Sequence, residues 1–210
     1  MRWIVLIVDD HPLVAEALEA AVAKAYPQFE VGRVSSAAEA ESFARRHSER
    51  VRMVMLDLML PDAEGFSALI QLQQILPKSH FAIISARVDP HTVSMARSFD
   101  VDAYLSKTEP VETLVNAVGG VMRGEKRFPD GVIPNAQNGD FHQRLLTLSK
   151  AQMRVLKEMS AGKLNKQIAG ELGVSEGTVK QHVSAIFKKL GTQNRSQTVL
   201  MSARYLGRIV

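Results

Sequence analysis

Short continuous apolar runs alternate with amphipathic stretches through the first 124 residues. Trp3–Val8, Phe29–Val34, Arg52–Leu56, Phe81–Ser85 and Ala103–Leu105 read as strands covered on both faces. Between and after them, Leu13–Ala25, Ala37–His47, Phe66–Leu76, His91–Phe99 and Val111–Arg123 follow the helical period. Pro12 stands at the first turn of the first helix, where its missing N–H costs nothing. A strand followed by a helix, five times over, predicts a doubly wound (βα)5 parallel sheet, an α/β architecture.

The pattern then changes twice. Residues 125–147 lack sustained periodicity and are punctuated by Pro129, Asp130-Gly131, Pro134 and Asn138-Gly139, which marks a linker. Its apolar Val132, Ile133 and Phe141 predict that it docks on a domain. From Leu148 onward only helical spacing remains, over Lys150–Ser160, Lys166–Leu172, Glu176–Leu190 and Arg195–Tyr205. Ser149 and Gln152 have capping-box spacing, Asn165 and Ser175 are N-cap candidates, and Gly162, Gly173 and Gly191 sit where helices should stop. The expected organisation is an α/β domain over 1–124, a linker over 125–147, and a small all-α domain of four helices over 148–210.

Charge separates the same two halves. The net charge is +4 overall, but residues 148–210 hold 11 Lys/Arg against 3 Asp/Glu, net +8, leaving net −4 on residues 1–147. A basic helical segment of this kind is the footprint of a nucleic-acid binder, and an acidic α/β half suggests a cation site or a regulatory domain. Cysteine is absent, which excludes disulfides, thiolate catalysis and cysteine-based zinc sites. The early apolar run Trp3–Val8 is too short for a signal peptide, and no run approaches the ~20 residues of a membrane span. A cytoplasmic protein without a membrane partner is expected.

In an open parallel sheet, ligands bind beyond the carboxyl ends of the strands. Asp9 and Asp10 end the first predicted strand, Asp57 the third and Ser85 the fourth, and Lys107 follows the fifth by two residues. Three converging carboxylates repel one another unless a cation sits among them, and an all-oxygen site suits Mg²⁺. Asp9, Asp10 and Asp57 are therefore candidate metal ligands. Asp57 can attack a phosphoryl group to form an acyl phosphate, with Lys107 and Ser85 placed to stabilise the transferring oxygens.

In the basic half, Leu164 to Val183 reads as helix, tight turn, helix, whose second member can enter the major groove. Val179, Val183, Ile186 and Leu190 form its apolar stripe. Lys180, Gln181 and Ser184 then face outward as base-reading candidates, with Thr178, Lys166, Lys188 and Asn165 as further DNA contacts, largely to phosphate.

Residues 1–123 closely resemble the receiver domain of two-component response regulators, through Val8-Asp9-Asp10-His11-Pro12, Met55 to Gly65, Ile83-Ile84-Ser85-Ala86 and Asp102 to Lys107. The resemblance implies a Mg²⁺ site, phosphoryl transfer from a sensor histidine kinase to Asp57, and a switch pair of Ser85 and Tyr104. It also places Met59 and Arg87 at the pocket mouth. Residues 148–210 resemble the LuxR-type helix-turn-helix domain, through Leu148-Ser149, Val155-Leu156, Asn165 to Ala169, Ser175 to Lys180, Lys189-Leu190-Gly191 and Asn194-Arg195. Ala151-Gln152 departs from the Arg-Glu of many members. The combination is that of the NarL/FixJ group, which implies double-stranded promoter DNA as partner and a homodimer on DNA through the last helix, with Val199, Leu200 and Ala203 as its apolar patch.

Two other readings remain open at this stage. One is a DNA-binding regulator whose receiver only dimerises, independently of phosphorylation. The other is an aspartyl phosphatase, which would carry a D-x-D on its first strand where this chain has Asp9-Asp10-His11. The six histidines show no zinc-binding spacing, and His11 reads as a capping or supporting residue.

Overall fold

The computed structural model describes residues 2–130, 136–203, 205 and 206. The chain divides into two bodies, residues 1–139 and 140–210. In the first, β1 (Trp3–Val8), α1 (Pro12–Ala25), β2 (Phe29–Val34), α2 (Ala37–Arg46), β3 (Val51–Leu56), α3 (Ser67–Ile75), β4 (His80–Ser85), α4 (Pro90–Ser98), β5 (Ala103–Ser106) and α5 (Val111–Met122) follow in strict alternation. The five strands form one parallel sheet in the order β2-β1-β3-β4-β5. Strand order reverses between β1 and β3, the position where such sheets open a crevice for ligands.

Alternate residues of each strand serve opposite faces of the sheet. Val5, Ile7, Met53, Met55, Ala82, Ile84, Ala103 and Leu105 pack with Leu18 and Val22 of α1 and with Leu114, Val118 and Val121 of α5. Ile4, Leu6, Val54, Leu56, Phe81 and Ile83 are equally buried. Burial of each large side chain supplies about 1.5–3 kcal/mol, so this double coverage fixes the strand ends rigidly relative to one another.

The second body is helical: it takes in α6 (Ala136–Leu146) from Asp140 onward, then α7 (Lys150–Ser160), α8 (Asn165–Leu172), α9 (Glu176–Leu190) and α10 (Arg195–Ala203). Val155, Leu156, Met159, Ile168, Val179, Ile186 and Leu190 are buried. Val183, expected in the same stripe, is only half-buried. Ser149 and Gln152 close the expected capping box, and Gly173 and Gly191 end α8 and α9 at φ values of 65° and 68° that favour glycine.

Three differences from the sequence reading are informative. The stretch read as a linker without sustained periodicity contains α6, held by buried Phe141 and Leu145 and by the Phe141–Tyr205 ring contact at 5.1 Å. Asn138-Gly139, read as a turn, lies inside that helix. Val132 and Ile133 lie outside the described residues. Asn165 is not the N-cap of α8. Leu164 occupies that position, its N–H donating to Gln167 Oε1 at 2.7 Å, while Asn165 Oδ1 accepts from Arg195 at 3.5 Å. Finally, β5 runs through Ser106, so Lys107 follows the strand immediately.

Candidate functional site

Asp9, Asp57 and Ser85 sit at strand ends and share one local device. Asp9 Oδ1 accepts the N–H of His11 (2.9 Å), Asp57 Oδ1 that of Met59 (3.0 Å), and Ser85 Oγ that of Arg87 (3.1 Å). Each side chain is turned onto the backbone two residues ahead, the geometry short polar residues adopt where a strand breaks into a loop. Met59 and Arg87, placed at the pocket mouth by the family resemblance, thus flank Asp57 and the Ser85 hydroxyl through their own main chains. The loops are tied together as well. Asp57 N–H donates to Val8 O (2.9 Å), and Lys107 N–H donates to Ser85 O (3.0 Å).

The charges converge as the sequence predicted. Lys107 Nζ lies 2.7 Å from Asp57 Oδ2 and 2.8 Å from Asp9 Oδ2, with the two carboxylate side chains only 1% and 2% exposed. Burial opposes charge on the lysine, but its hydrogen bonds and attraction to Asp57 and Asp9 prevail and raise its pKa above the ordinary value. It is a fixed ammonium. Asp10 is half-buried beside them.

His11 was read as a supporting residue. The structure brings it into the cluster, with Nδ1 2.8 Å from Asp10 Oδ1, 3.3 Å from Asp9 Oδ1 and 4.0 Å from Asp57 Oδ2. It occupies the N-cap position of α1 without capping it through its side chain. One potential ligand atom from each of Asp9, Asp10, His11 and Asp57 lies within 4.8 Å of the others. Three carboxylates against one ammonium leave negative charge in excess, and the mostly oxygen donor set fits a hard divalent cation such as Mg²⁺. A cavity of about 230 Å³ adjoins Asp9 and Asp10, lined also by Arg33, Ser35 and Glu39.

Ser85 is completely buried and Tyr104 is 1% exposed. An edge-strand aromatic is more often half-buried; here the ring is enclosed and its hydroxyl donates to the Arg87 carbonyl. Burial, opposed only in part by the hydrogen bond with Ser85, pushes its pKa up to about 12, so the phenol stays neutral and a donor.

Two contributors escaped the sequence reading. Asp62, in the loop after Asp57, accepts the N–H groups of Ala37 and Ala38 at 2.9 Å each and so caps α2 from another loop. Glu109 Oε1 accepts the Ser106 N–H at 3.0 Å and braces the Lys107 loop. Their acidity, six and three positions beyond the ends of β3 and β5, was the only available signal.

In the second body, α8 and α9 are joined by a turn in which Ser175 Oγ accepts the Thr178 N–H at 3.0 Å. Lys180, Gln181, Ser184, Lys188 and Lys166 are exposed, and Thr178 is half-buried. Lys180 pairs with Glu176 at 3.0 Å on the helix surface. Where the family's Arg-Glu is replaced, Gln152 Oε1 takes a hydrogen bond from Lys189 Nζ at 2.8 Å. Arg195 donates to the Met159 and Lys163 carbonyls and binds α10 to the end of α7. Leu200 is 70% exposed, while Val199 and Ala203 are half-buried.

A five-stranded sheet with an acid–lysine pocket at its switch point, followed by a helix-turn-helix, defines a receiver with a DNA-binding output. Comparisons with known proteins agree. Residues 5–119 match the response regulator receiver domain, and residues 146–202 match the luxR family of bacterial regulatory proteins. The glycerol metabolism activator of Pseudomonas putida is 32% identical over 206 residues, covering 93% of both chains. The response regulator protein VraR of Staphylococcus aureus is 29% identical over 203 residues, covering 96% of both. Among solved structures, RcsB of Salmonella typhimurium superposes with a TM-score of 0.56 at 19% identity, covering 95% of this chain and 97% of that one. An RcsB–DNA complex gives 0.55 at 19% identity, covering 97% and 99%, a likeness of fold. The chain belongs to the two-component response regulators with a LuxR-type DNA-binding domain. Receiver domains generally bind Mg²⁺ at this acidic pocket, and the family works with histidine kinases and promoter DNA. Among the described residues no helix is long and apolar enough to cross a membrane.

Proposed function

We propose that Asp57 is the phosphoacceptor of this regulator and that its modification by a sensor histidine kinase controls binding of residues 148–210 to promoter DNA in the cytoplasm. The observation that carries this reading is the Lys107 ammonium held between Asp57 and Asp9 at the sheet's switch point. In the transfer, the P–N bond of the donor phosphohistidine breaks with its electron pair passing to the imidazole. A carboxylate oxygen of Asp57 forms the new P–O bond. Lys107 and the Ser85 hydroxyl neutralise charge on the phosphoryl oxygens. Asp9, Asp10 and Asp57 would hold Mg²⁺, which when bound supplies further charge neutralisation at the same oxygens. Ser85 and Tyr104 form the switch pair, with the neutral Tyr104 phenol following the hydroxyl.

On the output side, Lys180, Gln181 and Ser184 read base edges in the major groove, while Thr178, Lys166 and Lys188 anchor phosphates. Asn165, engaged by Arg195, positions the start of α8 beside them. The apolar side chains of α10 around Leu200 form the contact between two copies on DNA. The division into a receiver over 1–124, a connecting segment over 125–147 and a DNA-binding domain over 148–210 belongs to the same reading. Assembly of all the phosphoacceptor parts favours it over a receiver that merely dimerises.

The test is incubation of the full chain with Mg²⁺ and acetyl phosphate, followed by intact mass measurement. One added phosphate is expected on the wild type and none on Asp57→Asn. Absence of modification on the wild type, or its persistence in the variant, overturns the assignment.

A further inference from the structure

β5 is the last strand of the sheet, and its outer edge would present unpaired main-chain groups. One residue closes that edge. Arg127 lies in parallel register with Ala103; its N–H donates to Asp102 O at 2.9 Å, and its carbonyl accepts the N–H of Tyr104 at 2.8 Å. The Arg127 guanidinium reaches Glu109 Oε2 at 3.2 Å, and the same carboxylate holds the Ser106 N–H in the Lys107 loop. On either side, Lys126 Nζ pairs with Asp100 at 2.7 Å, and the Phe128 ring lies 4.3 Å from the Arg97 guanidinium of α4. The segment after α5 thus grips α4, β5 and the Lys107 loop in three consecutive residues.

We propose that Lys126–Phe128 is a strap that carries the state of Tyr104 to the helical half of the molecule. The proposal rests on the reading of Ser85 and Tyr104 as the switch pair. Tyr104 is linked to the strap through its main chain and to the Ser85–Arg87 loop through its hydroxyl. A displacement of β5 or of the Lys107 loop either takes Arg127 along or breaks its hydrogen bonds, leaving edge groups unmatched. The chain beyond the strap leads into α6, whose Phe141 and Leu145 are buried in the second body. The connecting segment is therefore anchored at both ends, and its first anchor is the element that senses the pocket. Allostery requires a physical contact that differs between two states, and the main-chain pair between Tyr104 and Arg127 is the contact proposed to differ.

The test uses the full chain and a promoter duplex selected from random-sequence DNA by the wild type, with beryllium trifluoride and Mg²⁺ as phosphate mimic. Coupling between linked sites is typically about 5- to 150-fold, so the wild type should gain at least about 5-fold in affinity on loading. Arg127→Pro removes the N–H given to Asp102 and should gain less than about 2-fold. It should still take one phosphate from acetyl phosphate at the wild-type rate. Arg127→Ala, which keeps the main-chain pair, should fall between them. A full gain in Arg127→Pro overturns the strap while leaving phosphorylation control intact. Absence of any gain in the wild type overturns both readings. Hydrogen exchange on the wild type gives a check free of substitutions: loading should change protection at 103–106 and 126–128 together, and a change at 103–106 alone sinks the proposal.

Discussion

Asp57 and Asp9 are carboxylates almost fully removed from water, and Lys107 is their common counter-ion. Removing one partner from a buried ion pair typically costs about 3–5 kcal/mol, because the remaining charge is left uncompensated. Lys107→Ala is therefore expected to lower the unfolding temperature in EDTA, with Mg²⁺ restoring part of the loss, as read by thermal unfolding with and without the ion. His11 behaves differently, since its side chain is 61% exposed. His11→Ala should leave stability within about 0.5 kcal/mol of wild type. It should weaken Ni²⁺ or Zn²⁺ binding more than Mg²⁺ binding, because imidazole nitrogen suits the former ions better. Titration of each ion by calorimetry decides the point. The acidic residues of the pocket were legible in the sequence because strand ends are recognisable and carboxylates there are few. His11 was not, because the side-chain direction of a residue at a helix start depends on what surrounds it.

At the scale of elements, the caps carry measurable free energy. Asp89 accepts the Thr92 N–H at 2.9 Å and the Thr92 hydroxyl at 2.6 Å, and pairs with Arg87 at 2.7 Å. Partial burial raises its pKa, but these hydrogen bonds and the arginine outweigh that and hold it at about 2, below the ordinary 3.8. A depressed carboxylate stabilises the fold fully above its unfolded value. Its contribution should be lost as pH falls from about 4 through about 2. Asp89→Ala should cost about 1 kcal/mol near neutrality and flatten the acid limb of the stability profile over that window, measured by urea unfolding. On α9, Lys180→Ala should relax sequence preference. Lys166→Ala should weaken all sequences alike and reduce the steepness of the salt dependence by about 1, read from binding isotherms at several salt concentrations. Most element boundaries were legible because apolar period and caps coincide, as at Ser149 and Ser175. The helix α6 was not, since Asn138-Gly139 reads locally as a turn and the burial of Phe141 against Tyr205 overrides it.

Across the whole molecule, an acidic receiver is joined to a basic reader of DNA. Affinity for DNA should fall steeply with salt, by a slope of about −0.9 for each phosphate neutralised. The alternation of strand and helix, the charge asymmetry and the motifs around Asp57 and Ser175 were enough to determine the class of both halves, because periodicity and local capping are properties of neighbouring residues. Tertiary structure alone decided the rest. Asp62 caps a helix 25 residues away, Glu109 braces the Lys107 loop, and Arg127 seals the edge of β5. None of these has a local signature. Each is an exposed-looking charged residue whose role depends on which backbone groups the packed sheet leaves without partners, and that is settled only when distant segments meet.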